Sequence, residues 1–408
     1  METVMSNSSA YTRPADRWSP LYFLSSVGAG GLVVTFFMWL YMWVPHKGQP
    51  VPVFEDIAAA FANGAMLQQA AIVMAVLGIA GFAILNLKSL IWNMGQLARF
   101  KRTDAYGAML GTNAESQLTA LPLAIAMSIN VGFILGLVFV PNLWGIVEYL
   151  FPLAMIGFAL TALLAFAQTG RFIGQVIAKG GFNFAANNSF AQVLPAFAIA
   201  MIGVGLSAPA AMSQVAVVSG IAVIASTLLL VISLLWAAVA VVLGLAAMLQ
   251  NGANAESAPT LLILVPLTTV LGILVLRQDH GLHVHFDAHA ASGDVMRQLT
   301  VYLSIQIAFG LFGLAVLRAQ GYFARFLAGR ETSVGSYALV CPGVAISVLM
   351  QFWINKGLVG AGLIAKFGAA YWVLSAVAVG FQLAMIVLVL VLNKRHFSAN
   401  TQAAIPAE

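Results

Sequence analysis

Apolar residues dominate ten stretches of the chain, each about 20 residues or longer. They fall near 21–44, 66–87, 119–140, 146–168, 189–208, 215–247, 258–276, 298–317, 334–355 and 368–393. A helix needs roughly 20 apolar residues to cross the hydrocarbon of a bilayer, so each stretch predicts one spanning helix. The sixth is long enough to tilt or project, and no turn signal divides it. The first, Leu21 to Val44, is too long for the apolar core of a cleaved signal peptide. The pattern predicts an all-α polytopic membrane protein. Its parts are a tail over 1–18, a ten-helix membrane domain over 19–395 and a tail over 396–408.

Composition removes the alternatives. Of 408 residues, 61% are hydrophobic and 8% charged, where a soluble domain carries about 25% charged residues. Such a chain has no polar surface to show water. Disorder needs the opposite balance, and the single cysteine, Cys341, excludes a disulfide scaffold. The net charge of +5 is no sign of a nucleic-acid partner, because in a membrane protein the placement of Lys and Arg matters more than their sum. With the N-terminus inside, 13 basic residues fall on the inner side and 5 on the outer: Lys47, Arg277, Arg297, Lys356 and Lys366. That split predicts cytoplasmic N- and C-termini, and the expected location is a bacterial inner (plasma) membrane.

Prolines repeat at a near-constant interval. Pro122, Pro195, Pro266 and Pro342 are spaced by 73, 71 and 76 residues, all in odd-numbered helices near the end expected to be cytoplasmic. The first odd helix carries Gly28, Gly30 and Gly31 instead, and among even helices only the fourth has an internal proline, Pro152. Proline frees a carbonyl one turn earlier and bends a helix, which a membrane tolerates where neighbours or a watery cavity satisfy the freed group. The expectation is five helical hairpins, with bent odd helices lining a central pore and straighter even helices forming the wall. The odd helices, as bounded above, hold hydroxyls and amides (Ser25, Ser26, Ser128, Asn130, Thr268, Thr269, Ser347, Gln351) and no charge. That argues against a proton relay and suits weak-binding passage. Lys88 and Glu148 have ordinary interfacial explanations.

The arrangement resembles the tellurite-resistance/dicarboxylate transporter family, which includes TehA and the plant slow-type anion channels. The matching ninth-helix stretch is Ser336-Tyr337-Ala338-Leu339-Val340-Cys341-Pro342. Pro20, Tyr22, Phe23, Gly28 and Gly31 look similar to that family's first helix, and Pro259-Thr260 with Pro266 to its seventh. The resemblance covers about residues 19–395, with no single diagnostic motif. It implies a five-hairpin bundle around a pore, often a homotrimer with one pore per protomer, passing anions such as chloride, nitrate, sulfite or malate. It also implies a pore plugged by the residue before the ninth-helix proline. That residue is a phenylalanine in the family and Cys341 here, so the passage is expected to be less occluded. Cysteine or selenocysteine occurs in a TsoY-like branch of the family, which the chain also resembles.

Four histidines cluster with Asp279 and Asp287: His280, His283, His285 and His289, in a stretch expected to form the outer loop between helices seven and eight. His and carboxylate suit zinc, copper or nickel, although a solvated polar loop has the same composition. No P-loop, GxGxxG, CxxC or HExxH pattern appears, so neither an enzyme nor a bound cofactor is expected.

The first reading is a channel or transporter for small inorganic or organic anions. Its pore and gate residues would be Cys341, Pro342, Pro122, Pro195, Pro266, Gly28 and Gly31. With no basic ring visible, selectivity would come from width and desolvation. The alternatives are a membrane redox or sulfur-handling protein using Cys341 as a reactive thiol, and a non-conducting scaffold. Topology is the first test. Reporters fused after Glu408 and near Ala290 are expected to report opposite faces of the membrane, and signals from one face would overturn the assignment.

Overall fold

The computed structural model describes residues 13–289 and 291–398. Most of the N-terminal tail, most of the C-terminal tail and the two reporter positions, Ala290 and Glu408, lie outside the described residues. Ten helices among the described residues are long and apolar enough to cross a membrane. They are α1 (Pro20–Trp43), α2 (Met66–Phe100), α3 (Asn113–Phe139), α4 (Leu143–Lys179), α5 (Ala191–Met212), α6 (Ala216–Asn251), α7 (Ala258–His285), α8 (Ser292–Ala319), α9 (Val334–Val359) and α10 (Ala369–Phe397). The protein is an all-α polytopic membrane protein.

The odd and even helices divide sharply by burial. In their most apolar windows, α1, α3, α5, α7 and α9 are 89, 61, 100, 72 and 78% buried, against 22–28% for the even helices. Each odd helix packs on the even helix that follows it, giving five hairpins. The odd helices also pack on one another in the order α1, α3, α5, α7, α9 and back to α1, which closes an inner ring. The even helices form the wall and turn Leu77, Leu160, Leu235, Leu311 and Leu383 outward.

The prolines act differently from the bend expected of them. Every odd helix opens with a tight 3₁₀ turn and then becomes α-helical at Phe23, Ala120, Leu194, Leu264 or Val340. Pro122, Pro266 and Pro342 are each the third α-helical residue, and Pro195 is the second. Where 3₁₀ bonding gives way to α bonding the acceptor shifts by one residue and two N–H groups compete for one carbonyl, so a residue without an N–H fits there at little cost. The prolines therefore mark the change of helix type at one end of each inner helix.

Buried polar side chains tie wall to ring. Asn86 of α2 donates to Ser26 O (2.8 Å) and accepts from Ser128 Oγ (3.0 Å), joining α1 and α3. Ser233 of α6 donates to Ala196 O (2.8 Å), and Gln306 of α8 to Val265 O (2.9 Å). Gln382 of α10 accepts from Trp39 Nε1 (3.0 Å). Glu148, at the start of α4, accepts from Ser213 Oγ (2.7 Å) and Gln214 N (2.6 Å), anchoring the turn between α5 and α6. Inner hydroxyls are spent on backbone oxygens: Ser25 on Tyr22 O of its own helix, Ser26 on Asn86 O of the wall and Thr269 on Ala345 O of α9.

Removing the Asn86 amide would leave partners on two inner helices unpaired. Asn86→Leu is expected to lower stability by about 1–2 kcal/mol, the upper part of the range for interhelical hydrogen bonds in membranes. Unfolding in a denaturing detergent measures it, with the exposed Asn63→Ala as the unaffected comparison. Equal stability of the two variants would contradict the assigned role.

Candidate functional site

The inner ring is hollow. A cavity of about 550 Å³ is lined by all five odd helices and by the segment that follows α1. It runs from a mouth at His46, Gln49, His283 and Lys356 down to Gly28 and Cys341. A second, smaller chamber of about 40 Å³ lies toward the 3₁₀ ends of the ring, against Leu24, Gln117, Ser257 and Ala338. Phe197, Pro266 and Cys341 line both chambers. These three residues form a collar between them.

Cys341 is a free thiol, 8% exposed, one residue into the α-helical part of α9. Gly28 and Gly31 stand where α1 meets α9. A Cβ on Gly28 would come within 2.9 Å of Val340, and one on Gly31 within 2.8 Å of Val344. Both glycines line the large chamber because they let the two helices approach. Of the residues read from the sequence, the structure brings together Gly28, Gly31, Pro266 and Cys341. Pro122, Pro195 and Pro342 are not lining residues of either chamber and serve at the helix-type junctions. The small side chain at position 341 does not leave the collar vacant, since Phe197 of α5 stands in it.

The charge content of the ring is a correction to the sequence reading. The seventh apolar run ends near 276, but α7 stays helical to His285 and carries Arg277, Asp279, His280 and His283 along the chamber. Arg277 is thus part of the inner ring, where the sequence suggested an anchor at the outer headgroups. Its Nη1 donates to Val204 O at 2.6 Å. Among the described residues it has no carboxylate partner within ion-pair distance. Lys356 of α9 lines the mouth and lies 5.8 Å from the centre of the Tyr41 ring. Beyond it, Lys366 sits over the Phe367 ring; burial first, and the charge of Lys356 second, lowers its pKa below the ordinary lysine value. Among the Lys, Arg, Asp and Glu side chains, the chamber is lined by Arg277 and Lys356 against Asp279. A further charge sits at the other end of the bundle, where buried Glu115 accepts from Arg171 Nε at 2.9 Å.

The histidines also depart from expectation. His280, His283 and His285 occupy the last turns of α7 and not a loop; only His289 lies beyond the helix. His283 and His289 bring their Nδ1 atoms within 3.2 Å, while His285 Nε2 lies 2.9 Å from Ser213 O. Among the described residues no three His, Cys, Asp or Glu side chains gather as a metal site would require.

Arg277, Asp279, Lys356 and Phe197 were missed as site residues, although a signal was present. Pro266, Thr269, Val270, Ile273, Arg277 and His280 recur at spacings of three, one, three, four and three, one continuous helical stripe. All six line the chamber. No protein-family model matches the chain, and no curated protein matches it.

The collar makes Cys341 slow to react, because a buried thiol is shielded from reagent and water alike. In the folded protein its alkylation by N-ethylmaleimide is expected to be about tenfold or more slower than after unfolding in detergent. Equal rates would place the thiol outside the collar.

Proposed function

We propose that the chain is a channel or transporter for small anions, with the path running along the axis of the inner ring and narrowing at Cys341. The observation that carries this reading is the large chamber itself, lined by the five inner helices and by Arg277, which has no carboxylate partner among the described residues. A cation held at depth is expensive unless it meets water or an opposite charge. Here the opposite charge would be the permeant ion. Lys356 at the mouth adds a second positive charge along the same chamber. Selectivity then rests on charge as well as width, a stronger basis than width and desolvation alone.

The remaining parts of the proposal come from the family resemblance and the basic-residue split. They are a homotrimer with one path per protomer, residence in a bacterial inner membrane and cytoplasmic termini. The mouth lined by His46 and Lys356 would then face outward. The redox alternative draws less support, since its thiol is buried between apolar side chains and no second cysteine is present to resolve a disulfide.

Anion-driven flux in liposomes carrying the purified protein, with a panel of inorganic and organic anions, tests the reading. Flux of at least one anion above empty liposomes is expected. Cys341→Phe, adding an aromatic ring to a collar that already holds Phe197, is expected to cut it about tenfold or more, while Cys341→Ala retains it within about twofold. Absence of flux for every anion, from protein that stays folded, would overturn the proposal.

A further inference from the structure

The large chamber has the character of a site for an organic ion more than for a bare inorganic one. Its walls are mainly apolar: Val34, Phe37, Phe133, Val270, Ile273 and Val348 among others. Four methionines, Met38, Met127, Met201 and Met212, add adaptable surface. A volume of about 550 Å³ falls within the roughly 300–1,000 Å³ of small-molecule pockets. Such pockets pair apolar walls with a few fixed polar groups. A bare inorganic ion seated here would give up its hydration to walls that cannot replace it. A ligand with an apolar body would fill the walls and need only one polar anchor.

Arg277 is that anchor. Its only hydrogen bond to the described residues goes to Val204 O, so most of its planar donor fork is left for a ligand. The fork matches two oxygens of a carboxylate or sulfonate better than it matches a spherical halide. The charge balance limits the ligand further. Arg277 and Lys356 face the chamber against Asp279, which leaves one net positive charge among Lys, Arg and Asp and sets a carboxylate two residues from the anchor. A second negative group on the ligand would exceed that single net charge. We propose that the large chamber binds a small organic monoanion with an apolar body, its carboxylate or sulfonate on Arg277 and its body against the α1, α3 and α7 walls. The inference rests on the anion-passage reading and names the class of anion.

Binding of radiolabelled benzoate to the full chain in lipid nanodiscs tests it. Saturable binding is expected, with isovalerate competing. Benzamide, the neutral counterpart, and phthalate, a dianion on the same ring, are each expected to compete about tenfold or more weakly. Chloride and nitrate are expected not to displace benzoate at physiological salt. Arg277→Gln is expected to weaken binding about tenfold or more, with partial recovery in Arg277→Lys. Absence of benzoate binding, benzamide competing as well as isovalerate, or displacement by chloride would each overturn the inference. The ligand comparisons use the native chain, so they decide the matter even if Arg277→Gln fails to fold. Flux measured on the same protein separates the two proposals. Chloride flux without benzoate binding defeats the organic-anion site and leaves anion passage standing. Benzoate binding without flux of any anion defeats passage and leaves the site standing.

Discussion

Every backbone N–H and C=O within the hydrocarbon must find a partner inside the protein, and the rest of this architecture depends on that constraint. It admits helices and forbids open loops at depth. It also decides where proline can stand. Pro122, Pro195, Pro266 and Pro342 all occur within the first turn of an α-helical segment, at the change from 3₁₀ to α bonding, where a residue without an N–H costs little. The same constraint explains why the wall helices bury single amides. Asn86, Gln306 and Gln382 are fully inward, each spent on a partner in the ring. The wall turns large apolar side chains outward and buries amides where it grips the ring.

A ring sheathed in this way is freed from the rule that binds its wall. None of the inner helices has to satisfy lipid along its chamber-facing side, so polar and charged side chains can stand there. Arg277 is the consequence: on a wall helix at similar depth it would have to reach a headgroup, whereas on α7 it turns toward a cavity. Closing the ring requires α1 and α9 to meet, and Gly28 and Gly31 supply the clearance against Val340 and Val344. Backbone satisfaction, helix type and glycine placement thus act together. The product is a chamber open at one mouth, with Arg277 in its wall.

The architecture was legible because it is written in runs and periods. Ten apolar stretches gave ten helices, and the 71- to 76-residue interval between prolines separated ring from wall. The site was less legible, because an apolar-run criterion stops at the first charge. It stopped α7 near 276 and put Arg277 at the headgroups and His280 in a loop. Helix formation does not end there, since Arg, Gln and His are all compatible with a helix. The stripe from Pro266 to His280 was available in the sequence, but its meaning depended on knowing that this face looks into a cavity. Phe197 was hidden for another reason. In a helix that is 100% buried in its most apolar window, nothing in the sequence distinguishes a residue packed on a neighbour from one that borders a cavity.

Phe197 also changes what the cysteine at position 341 means. The family resemblance puts an aromatic ring directly before the ninth-helix proline, and its loss here suggested a wider passage. In the structure the width of the collar depends on residues from three helices: Phe197 of α5, Pro266 of α7 and Cys341 of α9. Phe197 is 3% exposed and Cys341 8%, although each borders both chambers, so the space between them is filled from either side. A small residue on α9 faces a large one on α5, the kind of volume exchange that close-packed interiors accommodate when total volume is kept. Pro195 stands two residues before Phe197 and Pro342 one residue after Cys341. The junctions between 3₁₀ and α geometry therefore set the height at which both side chains enter the axis. Helix-type change, proline position and collar are neighbours along the chain, so the width of the collar depends on how those junctions are held.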